Sequence, residues 1–373
     1  MVRLFFRRLM IKINDFESKI LDTLLNETAN LRGTQYPNPA VGAAVVKDGQ
    51  IISKGFHYKA GEPHAEAAAL SLAGDNSKGA TLIITLEPCI HKGKTPPCVE
   101  LIIQFGITRC IWAVNDPNPT VLGKSKALLE AHGIEVLADV APIKGQAIIK
   151  EFDSFFTRRR PYVYVKAALS LDGFLAPDSQ KLHYISSAES LRLVQQLRTY
   201  VQAICVGAKT INVDQPRLSI RIDRCVDHQP FIVILDPKNY VDMNWVQKKL
   251  SEGRDIILFQ SAPLGISHDR LTHLDGLTSD KVENWRYVFK TLYEKQVQGV
   301  LVEGGSAVFQ SILSSGLFDE LWLTKVPHLF QSDAAVPFLN QSLVSDISLR
   351  LDRVDTYGTD VVMRYKNNHV GDF

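Results

Sequence analysis

A chain of 373 residues exceeds one ordinary domain, so two folding units are the natural expectation. A formal net charge of +2, from 42 Lys and Arg against 40 Asp and Glu, argues against the basic footprint of a protein that wraps nucleic acid. Five cysteines spread over so long a chain argue against a disulfide framework and for a reducing, cytoplasmic setting.

Residues 1–14 read as an N-terminal extension. Their apolar pieces are broken by Arg3, Arg7, Arg8 and Lys12 and are too short to span a bilayer, so no membrane contact is expected. Residues 15–32 follow as a helix, with Ile20, Leu21, Leu24 and Leu25 near one stripe. Two β-rich runs joined by Asp48-Gly49 read as a hairpin. A helix starts near His64 and stops at Gly74, and a buried strand runs through 79–87. A helix entered through prolines at 96–97, a strand at 109–114, a helix at 125–134 and a short last strand at 135–140 complete the alternation. Such alternation predicts a three-layer α/β sandwich over 15–150.

The cluster Arg158-Arg159-Arg160-Pro161 closes a segment, 151–160, read as a solvated linker. A second α/β pattern fills 161–373. Strands are expected at 162–170, 203–208, 231–236, 255–259 and 299–303, and helices at 187–201 and 306–317. A strand from 320 is read as ending the core.

Three elements carry chemistry in the first half. His64-Ala65-Glu66 opens a helix, Pro88-Cys89 ends a strand, and Cys98 opens the next helix. One imidazole and two thiolates fill three positions of a tetrahedral zinc, leaving the fourth for water. Zinc would bring that water's pKa towards neutrality and Glu66 would take its proton. His-x-Glu followed by Pro-Cys-x-x-Cys marks zinc nucleobase deaminases, and here the second half is Cys-x8-Cys. A structural zinc would need a fourth protein ligand at useful spacing, which the sequence does not offer. Two inert core thiols would leave His-x-Glu unexplained; Cys110, Cys205 and Cys225 fit that description better.

The long inter-cysteine gap belongs to a larger set of motifs: Pro37 to Gly42 (PNPAVG), His64 to Glu66, Thr85 to Cys89 (TLEPC), Gly93 to Cys98 (GKTPPC) and Asp116 to Pro119 (DPNP). In these the chain resembles the bifunctional riboflavin-biosynthesis deaminase–reductases. That resemblance implies a cytidine-deaminase-like three-layer α/β/α domain followed by a dihydrofolate-reductase-like α/β domain. It implies deamination of 2,5-diamino-6-ribosylamino-4(3H)-pyrimidinone 5′-phosphate, then NADPH-dependent reduction of the ribosyl to the ribityl chain. It also implies a homo-oligomer with one zinc per chain and no nucleic-acid partner. Carried over by position, Glu66 is catalytic, His64, Cys89 and Cys98 bind metal, and Asn38, His57, Lys94, Asp116 and Asn118 contact substrate. Leu122 and Ser125 depart from the common form of the loop after Asp116.

In the second half, 166–173 (KAALSLDG), 206–221 (VGAKTINVDQPRLSIR) and 302–308 (VEGGSAV) carry the same resemblance. It assigns substrate or cofactor contacts to Lys166, Asp172, Ser186, Arg198, Gly207, Thr210, Asp214, Leu218, Arg221, Glu303, Gly304 and Gly305. The glycine turns follow strands and open towards helices, which suits the phosphates of a dinucleotide. Leu182, Tyr184, Gln215, Phe174, Pro237 and Gln331 stand where the family usually has other residues. Those departures leave an alternative, a monofunctional deaminase with a structural C-terminal half. A nucleic-acid base deaminase is a more distant one, disfavoured by the near-neutral charge.

Overall fold

Asn14 opens the first helix with a reciprocal cap: its side chain accepts the Glu17 N–H, and Glu17 accepts the Asn14 N–H. The computed structural model describes residues 12–90, 96–178, 185–222, 229–262, 265–339 and 347–368. The chain divides into two compact units, Met1–Thr157 and Arg158–Phe373.

The first unit runs α1 (Asp15–Ala29), β1 (Gly42–Lys47), β2 (Gln50–Phe56), α2 (Ala65–Ala73), β3 (Thr81–Ile84), α3 (Cys98–Gln104), β4 (Arg109–Trp112), α4 (Lys124–Ala131), β5 (Glu135–Leu137) and α5 (Pro142–Thr157). Its sheet has the order β2-β1-β3-β4-β5, antiparallel around β1 and parallel from β3 to β5. Strand periodicity sends Ala43 and Val45 to one face, against Ala65, Ala69, Leu70, Val99, Ile102 and Leu129 of α2, α3 and α4. Ala44 and Val46 face the other way, against Leu21, Leu24 and Leu25 of α1 and Ile148 and Ile149 of α5. The result is the expected α/β/α sandwich.

Helix α5 was not anticipated. It continues through 151–157, which the sequence reading placed in a linker, because Ile148, Ile149 and Phe155 bury an apolar stripe. The arginine cluster is solvated only in part: Arg158 and Arg159 are exposed, whereas Arg160 is not. Arg160 is 1% exposed and donates from both terminal nitrogens to Asp319, at 2.7 and 2.8 Å.

The second unit runs β6 (Tyr162–Leu169), β7 (Phe174–Ala176), α6 (Ala188–Thr199), β8 (Ala203–Gly207), α7 (Ala208–Asp214), β9 (Phe231–Asp236), α8 (Met243–Ser251), β10 (Ile256–Gln260), β11 (Leu271–Leu274), α9 (Lys281–Glu294), β12 (Gly299–Val302), α10 (Ser306–Ser315), β13 (Glu320–Lys325), β14 (Val336–Pro337), β15 (Leu349–Tyr357) and β16 (Asp360–Asn367). Its nine-stranded sheet has the order β11-β10-β9-β8-β12-β6-β13-β16-β15. It is parallel from β11 to β13 and antiparallel at β16 and β15. Helices α9 and α10 cover one face, and α6 and α8 the other. The core therefore does not end at β13: β16 pairs along it and buries Val362 completely.

Candidate active sites

The first site is built where α2 meets β2. A Cβ on Gly55 would lie 2.3 Å from the Ala65 carbonyl oxygen and 2.4 Å from the Ala69 nitrogen, so only glycine permits this approach of helix to strand. His64 is the N-cap residue of α2, and Glu66, 4% exposed, lies in its first turn. Cys89 follows β3, and Cys98 is the first residue of α3, its N–H donating to the Cys89 sulfur at 3.4 Å. His64 Nδ1 lies 3.3 Å from Cys98 Sγ and 3.5 Å from Cys89 Sγ, and the three ligand atoms are within 4.8 Å of one another.

These distances fit a zinc ion. Zn–S and Zn–N bonds of about 2.3 and 2.05 Å at a tetrahedral angle imply an N–S edge of about 3.6 Å. The electrostatics agree. Cys89 is held well below the usual thiol range, first by the hydrogen bond from Cys98, while Cys98 is pushed up by giving it. His64 is raised, chiefly by its hydrogen bond to Cys89. Three convergent donors joined through shared protons are a set in which a cation can replace those protons. Glu66 is pushed up to about 7, first by burial and then by the charge on Cys89.

His57 and Asn38 meet beside this cluster. The His57 ring lies 5.2 Å from the His64 ring, centroid to centroid. His57 Nδ1 is 3.1 Å from the Pro63 carbonyl, so it carries the proton, and Nε2 accepts from the Asn38 amide at 3.1 Å. Burial lowers the His57 pKa and keeps the ring neutral. Asp116 is 7% exposed and pushed up to about 7 by burial; its Oδ1 accepts the Asn118 N–H at 2.8 Å. The Asn118 side chain accepts from the Thr120 N–H and hydroxyl, shaping its own loop. Lys94 lies outside the described residues.

Sequence reasoning quoted Glu87 within its motif and gave it no role. Its buried carboxylate collects the N–H groups of Asp116, Gly123 and Ser125. The signal available was an acid placed between an apolar strand and a Pro-Cys turn. Cys110 and Cys205 are wholly buried thiols pushed up by desolvation, as inert core residues should be. Cys225 lies outside the described residues.

The second unit holds a cavity of about 1020 Å³ at the C-terminal ends of β6, β8, β9 and β12, the usual ligand position in a parallel sheet. Lys166, Arg198, Gly207, Thr210, Asp214, Glu303, Gly304 and Gly305 all line it. Arg198 forks onto Glu303 at 3.1 and 2.6 Å and donates to the Ser219 carbonyl. Burial lowers the pKa of Lys166, opposed by Glu303. Gly304 and Gly207 let the first turn of α10 close down: Cβ atoms there would sit 2.5 and 2.8 Å from Val308. The α10 N-terminus, capped by Gly305, and Lys209, Lys238 and Lys281 give the cavity the size and positive character a dinucleotide requires.

Four positions expected there are elsewhere. Leu218 is 2% exposed in the core, at φ 48°. Asp172 ties its turn to the segment after β13, where its Oδ2 accepts the Phe330 and Gln331 N–H groups at 3.0 Å. Arg221 is exposed and donates to Ser219, and half-buried Ser186 is not among the cavity residues. Gln331 occupies a left-handed φ of 44°, which accounts for the glycine usual at that position. Gln215 caps α7 at φ 45° and donates to Asp242. Leu182 and Tyr184 lie outside the described residues.

Residues 16–114 match the cytidine and deoxycytidylate deaminase zinc-binding region, and 161–363 match the RibD C-terminal domain. The chain is 34% identical to the riboflavin biosynthesis protein RibD of Aquifex aeolicus, over 95% of this chain and 99% of that one. It is 38% identical to RibD of Bacillus amyloliquefaciens, over 94% and 100%. The chain belongs to the RibD family. The structure of Acinetobacter baumannii RibD superposes with a TM-score of 0.83 at 30% identity, covering 94% of this chain and 99% of that one. A Thermotoga maritima structure superposes at 0.80, with 31% identity over 94% and 99%. That protein is described as a diaminohydroxyphosphoribosylaminopyrimidine deaminase/5-amino-6-(5-phosphoribosylamino)uracil reductase. As a RibD protein the chain is a bifunctional enzyme of riboflavin biosynthesis, with a zinc-dependent deaminase domain and an NADPH-dependent reductase domain. No described helix is long and apolar enough to cross a membrane.

Proposed function

We propose that the first unit deaminates 2,5-diamino-6-ribosylamino-4(3H)-pyrimidinone 5′-phosphate and that the second reduces the product's ribosyl group to the ribityl chain. The observation that carries the first step is the buried Glu66 in the helical turn begun by His64, beside the converging Cys89 and Cys98. The description of the Thermotoga maritima relative supports the substrate. Division of the two activities at Thr157 and Arg158 is part of this reading, as are cytoplasmic residence and self-association.

A zinc held by His64, Cys89 and Cys98 supplies the Lewis acidity that makes water a nucleophile near neutral pH. Glu66 takes one proton from the attacking water and gives it to a ring nitrogen. It then carries the second, from the hydroxyl so formed, to the amino group, which leaves as ammonia as the C–N bond breaks and the carbonyl forms. A carboxyl raised towards neutrality by burial can both accept and donate there. Asn38 and the neutral His57, locked to each other, offer an oriented polar edge to the pyrimidine. In the reductase, NADPH supplies the hydride. Gly305 and the α10 N-terminus receive its phosphates, while Lys166, Arg198 and Glu303 hold the sugar end of the substrate.

The test follows products by mass. Without NADPH the substrate should exchange an amino for an oxo group; with NADPH two hydrogens should be added as well. Glu66→Gln should retain zinc and lose roughly 100- to 10,000-fold in deamination. A zinc-loaded chain that leaves the substrate unchanged would refute the deaminase reading.

A further inference from the structure

Glu87 stands two residues before Cys89, 2% exposed, with its own N–H donated to the Val114 carbonyl at 3.0 Å. Its Oε2 accepts the N–H of Asp116 at 3.2 Å and of Gly123 at 3.1 Å, and Oε1 accepts the N–H of Ser125 at 3.3 Å. All three donors lie on the stretch 116–125, the loop that follows β4 and the first residues of α4, and they sit at both of its ends. The next residue adds a fourth tie: the fully buried Ser125 hydroxyl donates to the Pro88 carbonyl at 2.6 Å. Fixing the backbone at 116 also fixes 118, since Asp116 Oδ1 accepts the Asn118 N–H.

We infer that Glu87 is a positioning residue of the deaminase, which pins the 116–125 loop to the turn carrying Cys89 and so sets how Asp116 and Asn118 meet the substrate. The inference rests on the deaminase reading above. A carboxylate suits the task because it only accepts, and every partner here only donates. An amide at this position puts an NH₂ group where peptide N–H groups converge, so at least one of them loses its acceptor whichever way the amide lies. The loop then leaves its place, while His64, Cys89 and Cys98 keep theirs. Ser125, an unusual residue at its position, strengthens the same clamp.

The experiment compares wild type, Glu87→Gln and Ser125→Gly for zinc content, deaminase kcat and KM, and NADPH-dependent reduction of the deaminated product. Glu87→Gln should raise the deaminase KM at least about tenfold with a much smaller change in kcat. Zinc content and the reductase should be unchanged, and Ser125→Gly should shift KM the same way by less. An unaltered KM, or zinc lost in step with activity, would overturn the inference. If the Glu87→Gln chain does not fold, amide exchange in the wild type decides. Asp116, Gly123 and Ser125 should then be protected together, and exchange at free-loop rates would overturn the inference. A wild-type chain that does not deaminate would instead remove the reading beneath it.

Discussion

Replacing Asp319 by alanine should destabilise the second unit by about 3–5 kcal/mol, the usual cost of stranding one partner of a buried ion pair. The carboxylate accepts two bonds from Arg160, one from Arg158 at 2.6 Å and one from the Val163 N–H at 2.7 Å. Arg160 is 1% exposed, so its guanidinium would lose both carboxylate bonds in a place solvent scarcely reaches, while its bond to the Pro161 carbonyl at 2.9 Å remains. Arg158 is 46% exposed and can turn to solvent, so Arg158→Ala should cost less than about 1 kcal/mol. For a unit of this size, about 3–5 kcal/mol lowers the melting temperature by roughly 6–20 °C. Calorimetry resolves this if the two units melt separately, and residual reductase activity after heating gives a second reading. A loss under about 1 kcal/mol for Asp319→Ala would mean that the cluster behaves as a solvated linker and that the burial argument is wrong.

Gly55→Ala should disturb the deaminase without touching a ligand. Its Cβ would meet backbone atoms of α2 at 2.3 and 2.4 Å, so the helix carrying His64 and Glu66 must move. Zinc content and deamination should both fall while reduction persists, checked by metal analysis beside the two assays. Asp116 makes a pH prediction for the chain held in chelator. Its folded pKa of about 7 lies above the unfolded value, so the folded state binds the extra proton. The penalty is small below about pH 4 and grows until the pH passes the folded pKa near 7, so stability falls as pH rises. From pH 5 to 8 the wild type should lose about 2–3 kcal/mol relative to Asp116→Asn in urea unfolding.

The zinc cluster and Glu66 were legible because their chemistry lies in residue types at fixed offsets along the chain. The layers were legible because strands and helices alternate along the chain and strands such as β1 are near-continuously apolar, as a sheet covered on both faces requires. What escaped depended on partners distant in sequence. Arg160 reads as a surface charge until Asp319, 159 residues away, is beside it. Helix α5 was hidden by the same charge run, and the β15–β16 hairpin by its exposed, charged outer strand. Resemblance transferred positions but not orientations: Leu218 matched a motif, yet its side chain is turned into the core. Glu87 was visible as a letter, but its three N–H partners belong to a loop that only the folded chain brings back.

The pairing pattern of the two sheets also orders their assembly. His64 and Cys98 are 34 residues apart, and β1 to β5 pair among near neighbours, so the first unit can fold and collect its metal early in synthesis. In the second unit β6 waits for β12 and β13: Tyr162 pairs with Gly299, and Tyr164 with Glu320. Val163 meets the Asp319 carboxylate across 156 residues, and β16 joins β13 only once Asp360–Asn367 has been made. Long-range parallel pairing is slow to form. Newly made chains should therefore acquire the hydrolytic half of the enzyme before the redox half, with β6 the strand of the nine-stranded sheet left unpaired longest.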